Sequence, residues 1–291
     1  MLYTISNDKI RVSIDTLGAQ MQSITAADGT EYLWYGDKTF WGSRATNLFP
    51  YVGRLTEGRY TFGGKSYEMT PHGFAKRMEF TVTEQSEERI VFCLTENEET
   101  KEIYPFAFKF LLIYELDGAT VHITYQVENV DGKTIYFGLG GPPGFRLPLE
   151  DGKCFTDYRL TFSAPSHPAR ALLSPAYQMS GVEAAYPLEN DTTLPLRHDL
   201  FDDDAIILRH MDKTVTLWAG EGTKGVTMHI PHMNYLGIWH TVKAEAPFVC
   251  LEPWVSLPSR DGIVEDFSQQ SDLVALPAGE TYRNKWSITV F

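Results

Sequence analysis

Hydrophobic and polar residues alternate with a period of two from the beginning of the chain. Tyr3 and Ile5, then Ile10, Val12 and Ile14, are separated by polar residues, the pattern of strands with one buried face. Asp28-Gly29 supplies a hairpin-type turn, and the aromatic stretch Tyr32-Leu33-Trp34-Tyr35 follows. Residues 59–69 read as two short strands around Gly63-Gly64. Further strands are predicted at 79–84, 89–95, 106–116, 119–128 and 135–139, with Asp117-Gly118 the clearest hairpin break. The second half predicts strands at 157–163, 205–209, 213–219, 225–230, 235–239, 247–252, 272–275 and 284–290. No long amphipathic helix is visible; residues 37–45 and 261–267 are expected to form a helical turn or two at most. Many short strands punctuated by Gly and Pro predict a sandwich or barrel. No linker, compositional shift or fixed-period repeat divides the chain, so one all-β domain over 1–291 is expected.

Composition narrows the class. The chain is 43% hydrophobic and 13% aromatic, enough for a large core. Its formal net charge is −13 with Lys and Arg scattered, which argues against a nucleic-acid partner and favours a small neutral substrate. Cys93, Cys154 and Cys250 are few, odd in number and widely spaced, as expected of reduced thiols. With no basic segment leading into an apolar run at the start and no window of about 18 apolar residues, a soluble cytoplasmic protein without membrane partners is expected. Monomer and homodimer both remain open.

Several stretches carry candidate chemistry. The apolar run Phe248 to Leu251 ends in Glu252-Pro253-Trp254, and Pro253 is expected to take the chain out of the sheet. A carboxylate at the end of an apolar strand either pairs with a cation or has a task. Trp254 offers a flat face suited to a sugar ring. Arg54 closes an aromatic, proline-broken segment and supplies several fixed donors. His72, between Pro71 and Gly73, sits in a turn and suits acid, base or donor work. The Gly-rich run 138–146 permits close backbone approach, but Pro142 and Pro143 lack the N–H groups of a phosphate loop. Asp204 is the one of three successive aspartates nearest a strand. The pair His229 and His232 lacks a third ligand, and no metal is expected. Trp239-His240 reads as packing.

Taken in order, these stretches resemble the aldose 1-epimerase (galactose mutarotase) family, with the LacX-like branch nearest. The matching motifs are residues 47–54 from Asn47 to Arg54, His72-Gly73, Tyr104-Pro105-Phe106, Gly140-Gly141-x-Pro143-Gly144-Phe145, Leu200-Phe201-x-x-Asp204-Ala205, and residues 248–254. The resemblance covers nearly the whole chain. It implies a large antiparallel β-sandwich, the galactose mutarotase-like supersandwich, with few short helices and an aromatic-lined cleft. It also implies interconversion of α and β anomers of an aldose through the open-chain aldehyde, without a cofactor. By the same likeness Glu252 is the base and His72 the second catalytic residue, while Arg54, Asp204, Asn47, Phe145 and Trp254 bind the sugar.

One motif departs from the family pattern Gly-Gly-His-Pro-x-Phe, whose histidine is the general acid. Pro142 stands at that position and can neither give nor take a proton. Losing a general acid typically costs about 10²–10⁴-fold in rate. Three functions are therefore expected to compete: an epimerase using Glu252 with His72 or water as acid, a non-catalytic sugar-binding protein, and a hexose-phosphate epimerase. The third needs a basic pocket, for which Arg44, Arg54, Lys76 and Arg77 are the only near candidates.

Overall fold

A computed structural model describes residues 1–291. Two large antiparallel sheets dominate it. The nine-stranded sheet runs in the order 193–195, 159–162, 214–218, 225–229, 281–290, 120–129, 108–117, 89–95 and 81–85. The six-stranded sheet runs in the order 144–146, 248–254, 235–239, 206–209, 169–173 and 179–185. A three-stranded sheet of residues 2–6, 10–15 and 20–26 begins the chain. The long hairpin of Phe108–Asp117 and Thr120–Asn129 turns at Gly118, as the Asp-Gly pair predicts.

One core of buried side chains joins the two large sheets. Phe110, Leu112, Val121, Ile123 and Trp286 of the nine-stranded sheet share it with Ile206, Leu208, Leu236, Ile238, Val249 and Leu251 of the six-stranded one. Burying that apolar area is the main stabilising contribution. The fold is thus the expected antiparallel β-sandwich.

Residues 37–45 and 261–267 form single turns within extended chain, as expected. Two other local features differ from expectation. The single α-helix is Glu98–Ile103, where Asn97 Oδ1 accepts the Thr100 N–H and Thr100 Oγ1 accepts the Asn97 N–H, a reciprocal cap. Pro253 does not end its strand, which runs Phe248–Trp254. The Pro253 carbonyl accepts the Gly141 N–H at 3.2 Å, so the proline nitrogen faces that same side. The ladder to Tyr235–Trp239 on the other side loses nothing.

Candidate active site

Period-two alternation decides which side chains meet outside the sandwich core. On Phe248–Trp254, Val249 and Leu251 point between the sheets. Phe248, Cys250, Glu252 and Trp254 therefore point to the opposite face. Along the sheet, Glu252 is opposite Gly237, and Gly237 is opposite Ile207. The neighbouring rows place Trp254 beside Tyr235 and Trp239 beside Cys250. Trp254 and Trp239 thus bracket the row that carries Glu252. All three line a cleft of about 750 Å³, within the usual range of small-molecule sites.

Glycine makes this arrangement fit. A Cβ on Gly237 would lie 3.1 Å from Glu252 Cβ and 3.1 Å from Trp254 Cζ2, and one on Gly140 would lie 2.6 Å from Trp254 Cδ1. The indole of Trp254 is held between two backbones that approach closely because neither carries a side chain.

Glu252 is only 6% exposed, and no cation lies within ion-pairing distance of it. Burial pushes its carboxyl up to about 8, with the negative charge of Asp204 adding to the effect. The Trp254 indole N–H nearby favours the charged form, but it makes no full hydrogen bond within the protein. Burial also pushes the Asp204 carboxyl up, opposed by the Ala205 N–H, the Trp239 indole and the charge of Arg54. The salt-bridged reading of Glu252 is excluded by this geometry. An unpaired carboxyl with a raised pKa in a cleft is a candidate for proton transfer.

His72 lines the same cleft. Its Nδ1 accepts the Gly53 N–H at 3.1 Å, which places the ring proton on Nε2. Burial, then the charges of Lys76 and Arg54, lower its pKa to about 3. The ring is therefore neutral near pH 7, with its proton on Nε2. Protonating Nδ1 as well would set two N–H groups against each other. Both His72 (φ 66°) and Asp204 (φ 73°) adopt left-handed backbone, strain that persists where the surroundings impose it.

Arg54 reaches the cleft and lies over the Tyr177 ring at 5.2 Å. Two expected sugar-binding residues do not reach it. Asn47 is buried, its Nδ2 donating to the carbonyls of Gly18 and Ala19 at 3.0 Å each and lying 3.2 Å from Tyr114 Oη. Its Oδ1 accepts the Tyr125 hydroxyl at 3.1 Å, which commits the amide to the scaffold. Phe145 is fully buried in the sandwich core, since it pairs with the inward-facing Val249.

Further residues line the cleft, of which only Trp239 reads from sequence as packing. Trp239 forms a wall and not mere packing, while its neighbour His240 is buried against His198, with Nε2 3.1 Å from His198 Nδ1. Arg44, Lys76 and Arg77 all line the cleft with Arg54. Pro142 lines it too, and His72 is the one histidine that does.

Comparison with known proteins finds relatives over the whole chain. The sequence profile of the family described as aldose 1-epimerase matches residues 1–289. The plasmid-encoded protein LacX of Lactococcus lactis subsp. lactis is 31% identical over 304 aligned positions, covering 100% of this chain and 99% of that protein. A galactose mutarotase related enzyme from Lactobacillus acidophilus superposes with a TM-score of 0.96 at 32% identity, over 100% of this chain and 97% of the other. A galactose mutarotase-like protein from Lactobacillus casei gives 0.95 at 32% identity, covering 100% of both chains.

Proposed function

This chain belongs to the aldose 1-epimerase family, and from that premise we propose that it interconverts the α and β anomers of an aldose with Glu252 as the base. One observation carries the reading: a buried, unpaired carboxyl stands between two tryptophans in a cleft of about 750 Å³. With a pKa near 8, about a tenth of it is ionised at pH 7, and the ionised form is a stronger base than an ordinary carboxylate. Glu252 takes the proton from the anomeric hydroxyl as the bond from C1 to the ring oxygen breaks and C1 becomes an aldehyde. The His72 Nε2–H hydrogen-bonds the ring oxygen, and water in the open cleft delivers its proton. After rotation about the C1–C2 bond the steps reverse, water recovers its proton and Glu252 returns the other. Arg54 and Asp204 bind ring hydroxyls, and Trp254 and Trp239 pack on the apolar faces of the sugar.

Pro142 supports a second reading, a sugar-binding protein that keeps the cleft without the reaction. No histidine other than His72 lines the cleft to replace the family's acid. Anomer exchange on native protein separates the two readings. Acceleration that is lost in Glu252→Gln supports the enzyme, whereas saturable binding without acceleration supports the binding protein.

A further inference from the structure

Burial holds three carboxyls of this chain above the usual carboxylate range: Asp204, Glu252 and Asp272. The first two line the cleft already described, and the third does not. Asp272 lines a second cavity, of about 300 Å³, between the edge strand Met179–Ala185 and the segment 257–272. Pro258 borders both cavities, so the two are neighbours.

Both oxygens of Asp272 accept hydrogen bonds. Oδ2 takes the Leu257 N–H at 2.6 Å, and Oδ1 takes a Gln270 Nε2–H at 3.0 Å. These bonds favour the carboxylate, but no cation approaches within 4.0 Å to balance its charge. The other carboxylates of the cavity are committed: Glu265 holds Arg260 at 2.8 Å, and Glu183 is bridged to Arg209. One negative charge is therefore left uncompensated, at Asp272.

A second polar group there also lacks a partner. Tyr235 is only 8% exposed, yet its hydroxyl makes no hydrogen bond within the protein, and the residue lines this cavity. Burial raises the Tyr235 pKa and the charge of Asp272 raises it next, which sets the carboxylate near that hydroxyl. A buried hydroxyl is costly to leave unpaired. Ala171, Met179 and Leu257 add apolar wall beside these two groups.

We propose that this cavity binds a small primary ammonium ion with a short apolar body. Its N–H groups donate to Asp272 and to the Tyr235 hydroxyl, and its carbon chain lies against Ala171, Met179 and Leu257. The site does not depend on the epimerase reading of the cleft. An ammonium carries one positive charge and only donors, which matches one uncompensated carboxylate beside one free hydroxyl oxygen. A neutral sugar would leave that charge unbalanced, and an anion would be repelled by it. A calcium ion takes roughly six to eight oxygen ligands, and the apolar wall offers none.

Titration of isotope-labelled protein at pH 7 with n-butylamine, n-butanol and butyrate tests this, since the three differ chiefly in charge. Amide chemical shifts report affinity and place together. Butylamine is expected to bind saturably and at least about tenfold more tightly than butanol or butyrate. Its shifts are expected to centre on Val182, Gln269 and Ser271, which line the cavity. Asp272→Asn is expected to weaken butylamine by about tenfold or more, and Tyr235→Phe by about threefold. The Tyr235 hydroxyl holds nothing in the fold, so Tyr235→Phe stays folded and reads the ligand contact by itself. Equal binding of butylamine and butanol overturns the site, and so does a butylamine affinity unchanged in Asp272→Asn or in Tyr235→Phe. Shifts centred on Trp239 and Trp254 would put the amine in the other cleft and overturn it too.

Discussion

Gly53 grips His72 by two hydrogen bonds: its N–H donates to His72 Nδ1 at 3.1 Å, and its carbonyl accepts the His72 backbone N–H at 2.8 Å. Gly53 itself has a φ of 74°, and a Cβ there would lie 2.3 Å from Pro258 Cγ. The imidazole is thereby fixed as a neutral donor aimed by backbone, at a position no other residue type tolerates well. On the proposed reading Glu252, and not His72, therefore supplies the base.

The pH dependence of kcat/KM follows from that division. Activity is expected to rise with pH through about 8 as Glu252 ionises. No inflection from His72 is expected between pH 5 and 7.5, because its ring is already neutral there. An acid limb centred near 6.5, abolished by His72→Gln, would assign proton transfer to the histidine and contradict the geometry.

Stability carries the same signature with a defined sign. The folded pKa of Glu252 is raised from 4.5 to about 8, so the native state keeps a proton that the unfolded chain releases. The resulting stabilisation is complete below pH 4.5 and is lost as pH rises towards 8. Glutamine has nothing to ionise. The Tm of Glu252→Gln relative to native protein is therefore expected to increase between pH 5 and pH 9, measured by thermal denaturation at both ends.

Gly237→Ala tests the fit around the base. Its Cβ would press on both Glu252 Cβ and Trp254 Cζ2 at 3.1 Å. A displacement of a few tenths of an ångström at the base is expected to lower kcat by about tenfold, with a smaller effect on stability. Kinetics alongside chemical denaturation separate these effects. An unchanged kcat would mean that the position of Glu252 is not critical.

Pro142→His addresses the residue that departs from the family pattern. Pro142 lines the cleft, so a histidine there can reach a bound sugar. If water now supplies the proton, a positioned imidazole is expected to raise the anomer-exchange rate by about 10²-fold or more. No change would show that proton delivery to the ring oxygen does not limit the reaction.

The sequence made some of this legible and hid the rest for physical reasons. Glu252 stood out because a carboxylate ended an apolar strand, and alternation along that strand fixed which neighbours share its face. Asn47 and Phe145 misled because orientation depends on what lies across the sheet or loop: Val249 turns Phe145 inward, and Tyr114 and Tyr125 claim Asn47. Arg44, Arg54, Lys76 and Arg77 sit up to 33 positions apart, and only folding shows that all four line one cleft. Strand Met179–Ala185 escaped notice because it is an exposed edge with no apolar alternation. The helix Glu98–Ile103 was signalled by Asn97 and Thr100, a cap too short-ranged to stand out among strands.

The most direct test of the central claim is the rate of anomer exchange measured by NMR for native protein and Glu252→Gln, on glucose and on glucose 6-phosphate at pH 8. The account predicts acceleration by native protein and a loss of about 10²-fold or more in the variant, with sugar binding retained. Equal acceleration by both proteins would contradict it, because the buried carboxyl between the two tryptophans would then have no part in moving the proton.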